Sequence, residues 1–162
     1  MSIKALSLSD TFEYVSDTDP SKTKKTVQVD PDDPKKGTKE VTEVAEGATT
    51  FGLKPLDVFL MGYIYDNAST LSGRQGSEEV GIHTRVNQTN IEAVKFGLSY
   101  FNNFKDEKGN DVVVKHVKAS VNGREYDAAS DETLRLLGNR LIAELATEIK
   151  NKSEVSAEEA KN

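Results

Sequence analysis

One helical face dominates this sequence. Downstream of Ser130, the residues Leu134, Leu137, Leu141, Ile142, Leu145 and Ile149 recur at spacings of three and four over about four turns, the apolar stripe of an amphipathic helix. A helix of this kind draws most of its stability from covering that stripe, so the remaining chain must supply an apolar surface for it. Ser130 or Asp131 stands where an N-cap residue belongs, because a short oxygen-bearing side chain satisfies the first free amides of a helix.

The covering surface has to come from few segments. Between Ser16 and Gly47 lie three of the four prolines (Pro20, Pro31, Pro34), a dense mixture of lysine and aspartate, and almost no large apolar residue. Such a stretch buries too little to offset its ordering entropy, so residues 16–47 read as a long charged insertion. Short β-branched patches, Thr26 to Val29 and Val41 to Val44, flank the turn Asp30-Pro31-Asp32-Asp33-Pro34. The pattern leaves open a loose hairpin, a disordered loop, or a contact arm that orders on a partner. In that last case Lys24, Lys25, Asp32, Asp33, Lys35 and Lys36 are the candidate partner contacts.

Periodicity assigns the other elements. Phe12 and Tyr14 alternate with polar neighbours in a first strand, and Thr49 to Leu53 forms another with Phe51 and Leu53 on one face. Pro55 opens a helix whose inner stripe is Leu56, Phe59, Leu60, Tyr63 and Ile64. Residues 66–80 read as a loop and Val80 to Val86 as a short strand. Thr89-Asn90-Ile91-Glu92 has the form of a capping box, starting a helix that carries Ile91, Val94, Leu98 and Phe101 to about Asn102. Asp106 to Asn110 is a polar turn, and Asp111 to Val121 is a β-rich run. Asn122-Gly123 is the pair that a type I′ hairpin turn requires, with Arg124 to Tyr126 returning. The expected fold is α+β: one small domain over residues 1–152, with an antiparallel sheet or hairpins packed against about three helices, and a polar tail over 153–162.

Composition narrows the chemistry. The chain has 162 residues, no cysteine, two histidines and a net charge of −6. Without cysteine there is neither a disulfide framework nor a thiolate metal site, and the acidic balance disfavours nucleic acid as main partner. His83 and His116 lack a second ligand at metal-binding spacing. The Asp30–Pro34 run lacks the glycine and the terminal glutamate of a calcium loop. Residues 47–54 (GATTFGLK) miss the lysine and hydroxyl of a phosphate loop, and no G-x-S-x-G occurs. Glu78 and Glu79 are adjacent and point apart, which suits them poorly to acid/base work. The sequence therefore points to no catalytic, cofactor-binding or metal site and to no small-molecule substrate. The first 15 residues do not resemble a secretory signal, and no run has the length of a membrane span.

A resemblance enters at Phe101-Asn102-Asn103-Phe104-Lys105-Asp106-Glu107-Lys108-Gly109-Asn110-Asp111-Val112. An aromatic, then Asn-Phe, a short acidic stretch and Gly-Asn before a strand is similar to a pattern of small morphogenesis proteins of tailed bacteriophages. The capped helix Leu134 to Ile149 and the acidic end Ser156 to Asn162 follow in the order seen in tail assembly chaperone-like proteins, and Thr49 to Leu60 resembles their strand, Pro-Leu, helix opening. The likeness covers roughly residues 48–162. It departs in having Phe101 where those proteins often carry Trp, and in the added hairpin between Val112 and Tyr126. Its motif residues are Phe101, Asn103, Phe104, Asp106, Gly109 and Asn110. Two readings of them stay open: Phe101 and Phe104, three apart at the end of a helical face, seal that helix against the next hairpin, or they bind a phage partner.

The resemblance implies a non-enzymatic particle-assembly or structural protein acting by protein–protein contacts in the host cytoplasm. Its partners would be phage structural proteins, with self-association among the options. One alternative is a virion component of head, neck or tail that uses residues 16–47 as a contact arm. The other is a small acidic inhibitor of a host protein.

Overall fold

The computed structural model describes residues 4–72 and 78–154, with 68–72 and 78–85 described by their backbone alone. In chain order the elements are β1 (Phe12–Tyr14), β2 (Lys22–Gln28), β3 (Thr38–Val44), β4 (Thr50–Leu53), α1 (Val58–Ser72), α2 (Glu78–Gly97), β5 (Leu98–Asn102), β6 (His116–Val121), β7 (Arg124–Ala129) and α3 (Asp131–Ser153). A single 3-10 turn, Pro34–Lys36, sits between β2 and β3. Among the described residues all strand pairings are antiparallel, in a sheet ordered β1-β4-β5 and two separate hairpins, β2-β3 and β6-β7. The fold is α+β, with three helices among the described residues.

The stripe of α3 is where the core forms. Leu134, Leu137, Ile142, Leu145, Ala146 and Ile149 are buried against a cluster that includes Ala93, Val94 and Phe96 of α2, Leu60 and Ile64 of α1, and Phe51, Leu53 and Leu98 of the sheet. Leu145 and Ile149 are completely buried, and each such side chain contributes roughly 1.5–3 kcal/mol. Ser130 Oγ accepts from the Thr133 amide at 3.3 Å, so the cap is the serine. Asp131 and Glu132 in the first turn and Lys150 and Lys152 in the last complement the helix dipole. The stripe is not continuous, however. Gly138 has φ of 73° and breaks the helix, which shifts its phase: Ile142 turns inward while Leu141 is half-buried.

Several expected boundaries move. α1 begins at Val58, where Asp57 acts as the cap by accepting from the Leu60 amide at 2.8 Å, so Pro55 lies ahead of the helix. That start leaves Phe59 on the outer side, 53% exposed, with the Arg124 guanidinium 3.6 Å from its ring centroid. The backbone stays helical to Ser72 and again from Glu78, where a loop is expected; residues 73–77 lie outside the described residues. The expected strand at 80–86 is helix instead. Thr89 is consequently mid-helix and buried, and Glu92 binds Gln88 one turn back at 3.1 Å, so no capping box forms. α2 ends at Gly97 rather than near Asn102. Leu98 to Asn102 pairs with β4, and a register shift at Gly52/Leu53 sets Leu98 and Phe101, three apart as on a helix, beside Leu53 and Phe51 on one face.

Two hairpins follow their local signals. Asn122 and Gly123 have φ of 50° and 79°, as a type I′ turn requires, and β7 extends to Ala129. Asp106 Oδ1 accepts from the amides of Lys108 and Asn110, both at 2.9 Å, and Gly109 takes φ of 82°. The β-rich run is shorter than its sequence suggests, with strand structure confined to His116–Val121. The end of the chain from 155 lies outside the described residues.

The α2–β5 junction sits directly on α3. A Cβ on Gly97 would lie 2.7 Å from Cδ1 and Cγ2 of Ile149, and the Gly97 carbonyl accepts from the Lys54 amide at 2.8 Å. Gly97→Ala is expected to cost about 1–3 kcal/mol through overpacking, read as a lower denaturant midpoint at unchanged slope.

Candidate functional site: the hairpin arm

The insertion at 16–47 folds as a freestanding ribbon. β2 and β3 pair over seven residues each, from Lys22↔Val44 to Gln28↔Thr38, and all of these residues except Lys22 and Val41 are exposed. Its two faces differ. Thr23, Lys25, Val27, Val41, Lys39 and Glu43 share one face; Lys22, Lys24, Thr26, Gln28, Thr38, Glu40, Thr42 and Val44 share the other. Each face carries a diagonal ion pair, Lys24 to Glu40 at 3.5 Å and Lys25 to Glu43 at 2.7 Å. Exposed pairs of this kind add at most about 1 kcal/mol each.

At the tip, Asp33 accepts from the Lys35 amide at 3.1 Å and caps the 3-10 turn. Lys36 pairs with Asp30 at 2.9 Å. This ion pair, followed by the Asp32 amide, holds the Asp30 carboxyl below its ordinary range. Thus Lys24 and Lys25 stand on the stem, while Asp32, Asp33, Lys35 and Lys36 gather at the tip.

The arm is fixed at its base. Glu144 of α3 accepts from Tyr14 Oη at 2.7 Å, from Ser16 Oγ at 2.9 Å and from the Asp17 amide at 2.7 Å. Burial, and then the hydrogen bond to Glu144 and its charge, push the Tyr14 phenol well above its usual value. Asp19 accepts from the Ser21 amide at 2.8 Å and the Thr49 amide at 2.9 Å, joining the arm's entry to the strand that follows it. These bonds, that of Ser21 foremost, outweigh burial and lower the Asp19 pKa. Lys22 closes the clamp, with Nζ 2.9 Å from the Val15 carbonyl and 2.6 Å from Asp17; this contact lowers the Asp17 pKa. Sequence reasoning missed Glu144, Asp19 and Thr49, whose contacts span 30 to 130 residues and leave no local signal.

The motif at 101–110 lies elsewhere and supports the sheet edge. Phe101 is in β5, not on a helix. Its ring centroid is 4.9 Å from that of Phe104 and 5.7 Å from that of Phe51, with Phe51 to Phe104 at 5.8 Å. Asn103 has φ of 55° and its carbonyl accepts from Thr49 Oγ1 at 2.8 Å. Asp106, Gly109 and Asn110 build the turn described above. His116 Nε2 donates to the Ser99 carbonyl at 2.8 Å, and the side chain of His83 lies outside the described residues. Among the described residues, no group of three His, Asp or Glu side chains is placed to hold a metal ion, and no helix is long and apolar enough to cross a membrane.

Glu144→Ala removes one acceptor from three donors, one of them the buried Ser16 hydroxyl. The expected cost is about 1–3 kcal/mol, with faster hydrogen exchange at the Asp17 amide. Asp19 makes a pH-dependent contribution. Because its folded pKa is depressed, its stabilisation is fully present above the ordinary aspartate value of about 4 and is lost as pH falls through the lower folded value. Exchange at the Thr49 amide, corrected for intrinsic rates, should accelerate on that acid limb and become flat in Asp19→Asn.

No family model, curated protein or solved structure matches the chain.

Proposed function

We propose that this chain is a non-enzymatic component of bacteriophage particle assembly that works through protein–protein contacts, with residues 22–44 as its contact arm. The observation that carries the reading is the arm itself. A two-stranded ribbon exposed on both faces gains little stability alone, yet here it is held at its base by the Glu144, Asp19 and Lys22 clamps. A rigid base lowers the ordering cost of engaging a partner. The setting is suggested by the short sequence motifs of residues 48–162 that resemble phage morphogenesis proteins, and phage structural proteins in the host cytoplasm are the partners that resemblance implies.

Within that setting a preformed arm favours a lasting component of head, neck or tail. Transient tail-assembly chaperoning is the second reading, favoured by the order of motifs from Phe101 to the acidic end. Mass spectrometry of purified particles, alongside affinity capture of the tagged chain during phage growth, separates the two. Stoichiometric copies in particles support the component. Absence from particles together with capture of a tail protein supports the chaperone. A chain found in neither fraction overturns both.

A further inference from the structure

The arm has two unpaired edges, and they differ in charge. The Ala45 amide donates to the Ser21 carbonyl at 2.9 Å and the Val29 amide to the Gly37 carbonyl at 3.1 Å. These two bonds bracket the register, so the odd residues of β2 and their partners on β3 exchange hydrogen bonds inside the ribbon. The backbone groups of Lys24, Thr26 and Gln28 on one edge, and of Thr38, Glu40 and Thr42 on the other, therefore point outward. β2 carries Lys22, Lys24 and Lys25 and no acid; β3 carries Glu40 and Glu43 with one lysine, Lys39.

We propose that arms of neighbouring copies pair edge to edge, β3 of one with β2 of the next, as an antiparallel continuation of the ribbon. This rests on the contact-arm reading and names its partner as a second copy of this chain. Charge selects the pairing. Two β2 edges would bring six lysines together with no acid between them, and two β3 edges would bring four glutamates together with two lysines. The mixed pairing instead repeats between copies the Lys24–Glu40 and Lys25–Glu43 diagonals already made within one arm.

Each arm adds two strands, or about 10 Å of sheet width, whereas a body of the remaining residues is about 35 Å across. Identical arms can then lie side by side only if successive bodies diverge from one another as the shared sheet twists or curves. Head-to-tail contacts of that kind close into a ring or continue as a helix.

Proline at an outward-facing edge position tests this, because it removes an amide that the arm itself does not use. The full chain is expected to form higher-order species with rising concentration in analytical ultracentrifugation. Thr42→Pro and Thr26→Pro should each abolish them while the inward amides of Lys25 and Val41 keep their exchange protection. In a mixture of ¹⁴N and ¹⁵N chains, carbodiimide should link lysines of β2 to glutamates of β3 between copies. A chain that stays monomeric at every concentration overturns the pairing, as does an assembly that both proline variants leave intact. Neither result bears on the contact reading itself, which particle composition decides; a monomer that still enters particles would retain it and remove only the homotypic partner.

Discussion

The packing of α3 against α2 and the β4–β5 pair underlies everything else in this molecule. Leu145, Ala146 and Ile149 are completely buried there, and the approach is close enough that Gly97 has no room for a side chain. The same helix presents Glu144 to the arm's entry. Core and arm are thereby coupled through adjacent residues, Glu144 and Leu145, pointing to different neighbours. Any displacement of α3 along α2 would move the acceptor that holds Tyr14, Ser16 and Asp17.

Gly138 shapes this arrangement. Its left-handed conformation ends the first turns of α3 and restarts the helix at a new phase, and Leu134 and Leu137 before it and Ile142, Leu145 and Ile149 after it all bury in one core cluster. The residue without a Cβ is the one that adopts positive φ at little cost, and here that freedom brings the apolar residues on both sides of the break into one core cluster.

What the sequence made legible follows from the range of the forces involved. The Ser130 cap, the Asn122-Gly123 turn and the Asp106–Asn110 turn are decided within four residues, and each is found where its local pattern lies. The strand–helix confusion has two forms: at 80–86 an alternating pattern lies on helical backbone, and at 98–102 a register shift gives a strand the apolar spacing of a helix. Leu98 and Phe101 look like one helical face until β4 lies beside them. The arm was legible as a charged, turn-centred insertion, including Lys24, Lys25 and the tip residues. Its anchoring was not, since a lone glutamate beside a leucine stripe and a lone aspartate before a serine carry no pattern that names partners 128 or 30 residues away.

The arm's composition also bears on how it stays both ordered and available. Its strands are rich in threonine and valine, which favour extended backbone, and its lysines and glutamates sit in diagonal pairs that favour one register. None of these terms is large. A bare ribbon of this size is marginal, and tethering its two ends through Asp19, the Ser21–Ala45 backbone bond and Glu144 removes part of the chain entropy that would otherwise melt it. Order is therefore supplied from the base upward, by groups on the body, while the outward edges remain unsatisfied by protein. An element stabilised in this way can spend its exposed backbone on a neighbour without losing its own fold, which is the physical requirement for a contact arm.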